Sequence, residues 1–314
     1  MKSIKQTLFR SLIFLWNLNP FKKWGASLVK RNPVFLEKMY KDLRYEGVFN
    51  VSVDHGSFMI YNPGYTTIEN ELFWKGLQGW EKISMGLWIE LAKKSKVIID
   101  IGANTGLYSL IASSVNSNAK IHSFEPVQRT AELLKINLRL NSPNKIEFHQ
   151  VAVSDFSGIA TFYDLDTKSQ YSASLNKEML SRFDNRLEYE VEVVRLDEFS
   201  ALDNLKVGLI KLDVEMHEPE AIEGMIGILK RDRPTLLVEI LSDELGERIE
   251  SQIGDMGYRY FNIDEKNPPI EVYSLTASKH YNYLLIQDDK LKELGSLVYN
   301  NNLFDGKQII NSNG

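Results

Sequence analysis

The stretch VIIDIGANTGLYSL, residues 97–110, constrains the fold of this chain more than any other. Its first residues are apolar and lead into Asp100, two glycines then bracket three residues, and an apolar stretch of helical character follows. A buried strand, a glycine turn and a helix in this order begin a βαβ unit of a nucleotide-binding sheet. The spacing of the glycines then has to decide which cofactor the turn holds.

The rest of the chain continues this alternation of strands and helices. Such an alternation predicts an α/β fold with a largely parallel sheet and helices on both faces. Short strands are predicted at 45–65, a helical region at 69–94 and a strand-rich insert at 156–195. The other predicted elements are strands 97–101, 120–124, 146–153, 207–212, 235–241, 258–263 and 281–287, and helices 105–114, 128–140, 219–230 and 243–256.

Acidic residues follow each of the first five predicted strands of the sheet. Ligands of such sheets bind beyond the carboxyl ends of the strands. A helix N-terminus also favours an acid, but acids after five successive strands favour a binding site. The candidate residues are Asp100 with Gly102, Glu125, Ser154 with Asp155, Asp213 with Glu215, and Glu239.

The spacing of the two glycines excludes the common nucleotide fingerprints. A dinucleotide site needs a glycine where this chain has Asn104, between Gly102 and Gly106. A P-loop needs a Gly-Lys-Ser/Thr sequence, and none follows. S-adenosylmethionine carries no phosphate and needs neither feature, so it is the cofactor that we expect. A nicotinamide oxidoreductase built on the same sheet is the alternative.

The residues after the strands are placed to hold the parts of S-adenosylmethionine. We expect Asp100 to meet its ammonium group and the backbone at Gly102 to lie against it. Glu125, after the second strand, can accept hydrogen bonds from both ribose hydroxyls. Ser154 and Asp155, after the third strand, are expected to reach the adenine amine.

Five motifs, taken together, resemble the FkbM-type methyltransferase family. They cover roughly residues 65–287 and occur in the family's order and at its spacing. One departure is Met216, because the family pattern usually has glycine after DVE. The motifs are VIIDIGANTGLYSL (97–110), FEP (124–126), VAVSDFSG (151–158), VRLDEF (194–199) and LIKLDVEMHEPEAIEG (209–224).

This resemblance implies both a fold and a reaction. The implied fold is a Rossmann-like class I methyltransferase with a mostly parallel, seven-stranded sheet, to which this chain adds an N-terminal helical and strand extension. The implied reaction is O-methylation from S-adenosylmethionine, with sugars and polyketide-type products among the family's substrates. The cofactor-binding positions are Asp100, Gly102, Asn104, Gly106, Glu125, Ser154, Asp155 and Asp213.

Two ways of activating an acceptor hydroxyl remain open. In the first, His217 or a carboxylate near it is the general base, although His217 can equally pack at the start of its helix. In the second, a Mg²⁺ ion bound by Asp213 and Glu239 holds the hydroxyl. The catalytic candidates are therefore His217, Asp213 and Glu239. A non-catalytic, methyltransferase-like binding protein is a further alternative.

The charge of the chain argues against a nucleic-acid partner. Residues 1–44 hold ten basic and two acidic residues, whereas the remainder holds 27 basic and 40 acidic residues. The chain has no cysteine, which excludes disulfides, a cysteine-based zinc site and a thiol nucleophile. We expect a small-molecule or glycan acceptor as partner, and a cytoplasmic location.

The N-terminal segment is basic and apolar. Residues 1–30 can form a helix with one broad apolar face, which suits peripheral contact with an anionic membrane surface at the inner face of the membrane. The alternative is a helix that packs on the body of the protein or on a second subunit of a homodimer. The predicted division is an N-terminal extension at 1–65, a methyltransferase domain at 66–290 and a C-terminal tail at 291–314.

Two further groups of side chains each allow a functional and a structural interpretation. Tyr171, Ser172 and Ser174 lie in the insert, where they can contact the substrate or form ordinary surface. Three tryptophans precede the first strand of the sheet and resemble a sugar-stacking set, but their helical spacing favours the core. They are Trp74, Trp80 and Trp88.

Overall fold

A computed structural model of the protein describes residues 26, 30, 40–54, 56–141, 145–165, 174–175 and 186–294. Most of the proposed surface helix at 1–30, the C-terminal tail beyond residue 294, and Tyr171 and Ser172 lie outside these residues. None of the helices that the structure describes combines the length and the apolar content that a membrane crossing requires.

The elements follow one another as predicted, with strands and helices alternating. The first half comprises β1 (Glu46–Val53), β2 (Gly56–Pro63), α1 (Thr67–Lys75), α2 (Lys82–Lys94), β3 (Val97–Ile101), α3 (Leu107–Val115), β4 (Lys120–Phe124), α4 (Gln128–Asn141), β5 (Ile146–His149), β6 (Ala152–Val153) and β7 (Gly158–Leu165). The second half comprises β8 (Arg186–Val194), β9 (Leu209–Leu212), α5 (Glu218–Glu223), α6 (Ile226–Asp232), β10 (Thr235–Glu239), α7 (Asp243–Ile253), β11 (Arg259–Asn262), β12 (Ile270–Val272), β13 (Asn282–Ile286) and α8 (Asp288–Leu294).

The main sheet has the order β12-β11-β13-β10-β9-β3-β4-β5 in the described part of the chain. The strands from β10 to β5 pair in parallel, and β13, β11 and β12 pair antiparallel. The Rossmann-like, mostly parallel architecture is therefore confirmed. The expected number of seven strands is wrong by one. The additional strand is β12, a short strand at the antiparallel edge of the sheet. Its sequence shows little alternation of apolar and polar residues, so the pattern did not predict it.

Helices cover both faces of this sheet, and the side chains of β3 pack against the helices on both faces. All five of its residues are buried. Ile98 packs into the core beneath α2 and α3, whereas Ile99 packs into the core beneath α5 to α7. Successive side chains of a strand point to opposite faces, so a continuous apolar run is what a strand buried on both sides requires.

The N-terminal strands form an antiparallel hairpin that packs on the helices of the methyltransferase domain. Asparagine side chains of α4 form hydrogen bonds with backbone groups at the outer edge of β2. Asn137 Oδ1 accepts from the Tyr61 amide at 2.8 Å, and Asn141 bonds both the amide and the carbonyl of Met59 at 2.7 Å. These side chains satisfy backbone groups that an unpaired strand edge would leave open.

Two described residues of the N-terminal segment lie against this hairpin and α1. Ala26 is 2% exposed and shares a small apolar cluster with Tyr40 and Trp74. The Lys30 ammonium lies 4.2 Å from the centre of the Phe73 ring. At these two positions the segment packs on the body, as the alternative interpretation of residues 1–30 expects.

Two predicted elements divide in the structure. The strand expected at 146–153 becomes β5 of the main sheet and β6 of a separate sheet with β7 and β8. The helix expected at 219–230 becomes α5 and α6, which separate at Gly224 and Met225. A Cβ atom at Gly224 would lie 1.9 Å from the Ser154 carbonyl oxygen, so the backbone of the loop after β6 passes directly against this break.

We expect the change Gly224→Ala to destabilise the protein. The added methyl group meets backbone rather than a movable side chain, so the cost should be on the order of 1–3 kcal/mol in the free energy of unfolding. Chemical denaturation followed by circular dichroism measures it. Gly254→Ala is the matched control, because nothing lies within 4 Å of its Cβ position. Equal stability of the two variants would contradict the close approach.

Candidate active site

A cavity of about 440 Å³ lies at the carboxyl ends of β3, β4, β9 and β10. This is the edge of the sheet where the acids after the strands predict a ligand. Eight predicted site residues line it, namely Asp100, Gly102, Asn104, Glu125, Asp213, Glu215, His217 and Glu239. Gly106, Ser154 and Asp155 are not among the described residues that line it.

The glycine turn is held against the ends of two neighbouring strands. The amides of Gly102 and Ala103 both donate to the Phe124 carbonyl at 2.9 Å. Gly102 has φ +76, and a Cβ atom there would lie 1.8 Å from the Asp213 carbonyl oxygen. Glycine is therefore required by contact with the end of β9, whereas the sequence suggested that its role is to let the cofactor approach. Gly106, with φ +89, begins α3 and packs against Leu134.

Glu125 is fixed in position at the end of β4. Its Oε2 accepts from the Asn104 amide and its Oε1 from the Val127 amide, both at 2.9 Å. Burial raises the pKa of this carboxyl to about 7 against the opposing effect of these two bonds. A carboxylate has about four lone-pair positions, so two remain for the hydroxyls of a ligand in the cavity. Asn104 adds a buried Oδ1 without a hydrogen-bond partner among the described residues.

Asp100 lies beneath the turn and is directed towards α3. It is 1% exposed, and its Oδ2 accepts from Ser109 Oγ at 2.6 Å. Ser109 Oγ is in turn 2.6 Å from Ser123 Oγ. Burial raises the pKa of Asp100 to about 6, although the Ser109 hydrogen bond and the Lys211 charge oppose the shift. This network joins β3, β4 and α3 below the cavity floor.

Ser154 and His217 come together, away from the position that the sequence suggested for Ser154. Ser154 Oγ lies 2.9 Å from His217 Nε2 and donates to Asp155 Oδ1 at 3.0 Å. The chain enters β6 of the second sheet before Ser154, so its side chain turns towards the loop after β9. The cavity wall at this end is apolar and is formed by Val151, Ala152, Val153 and Phe162.

Both ring nitrogens of His217 face protein groups. Nε2 bonds Ser154, and Nδ1 lies 3.5 Å from Glu220 Oε2. Burial lowers the pKa of His217, so the ring is neutral at pH 7. A general base needs a free nitrogen within reach of the acceptor hydroxyl. Nε2 is occupied by Ser154, whereas Nδ1 makes no hydrogen bond to Glu220, whose Oε2 has no partner among the described residues. The role of His217 as base stays a prediction.

Several acids surround one lysine at the ends of β9 and β10. Lys211 Nζ lies 2.9 Å from Asp213 Oδ2, and the side chain of this lysine is 2% exposed. Burial, followed by the negative charges nearby, raises the pKa of Glu215 and of Glu239 above the usual carboxyl range. The charged form of Glu239 is therefore disfavoured in this cavity.

The pair Asp213 and Glu239 does not suit a Mg²⁺ ion. The Asp213 carboxylate already has the Lys211 ammonium beside it, and a divalent cation is repelled by that charge. Among the described residues, His and acid side chains close enough together to share a metal ion occur elsewhere, at His122, Glu147 and His149. The second mechanism considered from the sequence therefore has no support in the geometry.

The sequence match decides the family. Residues 100–260, just over half of the chain, match the family model described as the Methyltransferase FkbM domain. The chain belongs to the FkbM methyltransferase family. Its residues 100–260 form a methyltransferase domain of the FkbM type, as the five motifs implied.

Two curated proteins show the extent of the similarity. Methyltransferase 1 of Beauveria bassiana (strain ARSEF 2860) is 28% identical over 143 residues, which cover 41% of this chain and 57% of that protein. The 31-O-demethyl-FK506 methyltransferase FkbM of Streptomyces tacrolimicus is 30% identical over 155 residues, which cover 41% of this chain and 59% of that protein. The chain thus spans less than two thirds of the length of either relative.

Solved methyltransferases also resemble this chain at low identity. The methyltransferase FkbM from Methylobacillus flagellatus KT is 16% identical with a TM-score of 0.40, covering 61% of this chain and 43% of that chain. A SAM-dependent methyltransferase from Agrobacterium tumefaciens is 9% identical with a TM-score of 0.42, covering 77% of this chain and 71% of that chain. Both TM-scores are below 0.5, so the assignment to the FkbM family rests on the sequence match.

The backbone explains why the FkbM pattern has glycine where this chain has Met216. Glu215 and Met216 have φ values of +55 and +69, so two successive non-glycine residues are left-handed. Glu218 and Ser174 stabilise this turn, because Glu218 Oε1 accepts from the Val214 amide at 3.0 Å and Ser174 Oγ donates to the Glu215 carbonyl at 2.6 Å. Ser174 therefore acts on the site through the backbone, and the neighbouring Leu175 lines the cavity.

Part of the cavity comes from residues outside the FkbM domain, which the motifs did not point to. Trp80 and Glu81 line it from the turn before α2. Trp74 and Trp88 are buried in the core, as their spacing predicted. Glu81 has φ +33, and its Oε2 accepts from the Tyr108 hydroxyl at 2.6 Å. Only its position directly before an apolar helix distinguishes Glu81 in the sequence.

We expect the stability of the ligand-free protein to fall between pH 5 and pH 8. The pKa of Glu125 is raised from 4.5 to about 7, so the folded chain binds more protons than the unfolded chain in this interval. The stabilisation is complete below the unfolded pKa and is lost as the pH rises through the folded pKa. The change Glu125→Gln should reduce this loss in the free energy of unfolding by on the order of 1–3 kcal/mol.

Thermal unfolding at several pH values measures this effect. Glu247→Gln, on the exposed face of α7, is the control and should leave the pH dependence unchanged. If the Glu125→Gln variant lost stability with pH as steeply as the unmodified protein, the burial of this carboxyl would not be the cause.

Proposed function

We propose that this chain is an S-adenosylmethionine-dependent O-methyltransferase whose acceptor is a sugar hydroxyl of a polysaccharide, glycoconjugate or related natural product. The observation that carries the proposal is Glu125, which two backbone amides hold at the end of β4 with its remaining lone pairs available to a ligand in the cavity. This is the position from which an acid binds ribose in a sheet of this type.

The described residues suit the cofactor along its length. Glu125 would hold the ribose, and the apolar wall of Val151–Val153 offers a surface for the adenine. The bound cofactor supplies a methyl group on a positively charged sulfur atom. Burial of the site excludes water from the centre where that charge is lost.

The other end of the cavity suits an acceptor rich in hydroxyl groups. Asp213, Glu215 and Glu239 line it, and carboxylates accept hydrogen bonds from hydroxyls. Trp80 adds a half-buried aromatic ring of the kind on which a sugar ring can pack. An oxygen acceptor is supported by the name of the Streptomyces relative, which gives an O-demethylated compound as its substrate.

We assign the role of base to the carboxylates Asp213 and Glu239. Both line the cavity, as does His217, but Nε2 of His217 is bonded to Ser154. Burial raises the pKa of Glu239, and a cation bound nearby would lower it by favouring the charged form. His217 then positions the loop after β9.

Titration calorimetry with S-adenosylhomocysteine tests the cofactor, with NAD as the comparison. We expect binding of S-adenosylhomocysteine alone, without dependence on Mg²⁺. Glu125→Ala should weaken it about 10- to 100-fold, because hydrogen bonds to a buried carboxylate are lost. Glu247→Ala is the matched control. Binding of NAD instead would establish the oxidoreductase alternative.

The acceptor class is tested in the same experiment series by transfer of a labelled methyl group from S-adenosylmethionine to nucleotide sugars and to oligosaccharides. Recovery of an O-methylated sugar would support the proposal. Cofactor binding without transfer to any of these, but with transfer to a non-sugar acceptor, would exclude the sugar. Binding without transfer to either would favour the non-catalytic alternative.

We further propose that residues 1–25 bring the enzyme to acceptors at an anionic membrane surface, in the cytoplasm. The support is the basic, apolar composition of this segment. A chain that begins at residue 26 keeps the packing of Ala26 and Lys30, and we expect it to lose binding to liposomes that contain anionic lipid. Sedimentation with liposomes measures this, and neutral liposomes are the control. Equal binding by the full and shortened chains would contradict the proposal.

A further inference from the structure

The amino-acid end of S-adenosylmethionine presents two opposite charges, an ammonium and a carboxylate. An acid can accept from the ammonium, and a positively charged donor binds the carboxylate more strongly than a neutral one does. Acids are abundant in the cavity, but Lys211 is the only lysine or arginine among the described residues that line it. A buried lysine in a cavity of acids is therefore the feature to explain.

Strand order places Lys211 on the far side of β3 from Glu125. Glu125 follows β4, and the glycine turn follows β3. The next strand of the sheet is β9, where Lys211 lies beside Asp100 in the parallel register. A cofactor whose ribose lies at Glu125 extends its amino-acid end over β3 and β9.

The ammonium of Lys211 is fixed but not saturated. One proton is donated to Asp213 Oδ2 at 2.9 Å, and Nζ lies 5.1 Å from the centre of the Tyr108 ring. A lysine ammonium has three donors. At least one donor therefore remains for a carboxylate that enters the cavity.

Glu81 offers the complementary acid on the other side of Tyr108. Its Oε2 accepts from the Tyr108 hydroxyl at 2.6 Å, and its Oε1 accepts from Asn282 Nδ2 at 3.0 Å. These two bonds hold a residue whose backbone is left-handed, and strain of this kind persists where the surroundings fix it, often at functional sites. Each oxygen keeps a lone pair for a further donor.

Asp100 is less suited to the ammonium than the sequence suggested. It is 1% exposed, and its carboxylate is engaged with Ser109 towards α3. Both acids line the cavity, but Glu81 is only partly buried. The acid that reaches the ligand thus comes from the turn before α2, outside the FkbM domain.

We propose that Glu81 and Lys211 bind the amino-acid end of the cofactor, with Glu81 accepting from its ammonium and Lys211 donating to its carboxylate. Tyr108 is a positioning residue, because its hydroxyl holds Glu81 in place. The assignment rests on the proposed function and adds a cofactor contact outside the FkbM domain.

Two ligands that differ only at this end test the assignment by titration calorimetry. S-adenosylhomocysteine carries the amino acid, and 5′-methylthioadenosine keeps the adenosine and the sulfur but lacks it. We expect the changes Glu81→Gln and Lys211→Met each to weaken the binding of S-adenosylhomocysteine about 10- to 100-fold. Binding of 5′-methylthioadenosine should stay within about twofold. Tyr108→Phe should cause a smaller loss with the same selectivity.

Glu71→Gln is the matched control, because this acid lies on α1 beside Lys75 and does not line the cavity. This variant should bind both ligands with unchanged affinity. Equal weakening of both ligands by Glu81→Gln would show a purely structural role, and unchanged binding of both would exclude a contact with the amino acid. If the unmodified protein binds 5′-methylthioadenosine as tightly as S-adenosylhomocysteine, the amino-acid end is not recognised, although adenosine binding stands. If it binds neither ligand, the proposed function itself fails.

Discussion

The site depends on the close approach of the turn after β3 to the end of β9. The backbone of Gly102 lies so near the Asp213 carbonyl that no side chain fits between them. The same turn donates two amides to the Phe124 carbonyl at the end of β4. Three strand ends are thereby fixed to one another, and the residues that follow them cannot move independently. The glycine turn, Glu125 and Asp213 are held in one cavity for this reason.

The electrostatics of the cavity follow from this crowding. Carboxyl groups from several strand ends are buried in the cavity near one lysine, and burial raises the pKa values of Asp100 and Glu125. Such a cavity is better suited to a positively charged ligand than to a phosphate. S-adenosylmethionine has that charge, and the nucleotides that the glycine spacing excluded do not. The glycine spacing and the acids of the cavity both support the proposed cofactor.

The parts of the fold that could be predicted are those in which local pattern and burial coincide. The bounds of β3 and β4 agree with the prediction. For β3 the reason is that a short, mostly apolar run buried on both faces has few alternatives. The helix at 219–230 could not be predicted as two helices, since its break at Gly224 exists to admit the Ser154 carbonyl of a distant loop. The prediction of one strand at 146–153 was wrong for a similar reason, because the two halves of this stretch belong to different sheets.

The sequence by itself determined the family, the order of strands and helices, and the acids at the strand ends, because motif spacing and periodicity are local properties. The tertiary structure decided what each acid does. It turned Asp100 towards Ser109, joined His217 to Ser154 and paired Asp213 with Lys211. It also brought Glu81 into the cavity from the turn before α2. These contacts join residues far apart in the chain, or depend on the direction of a side chain within the folded cavity, and neither is encoded in a local pattern.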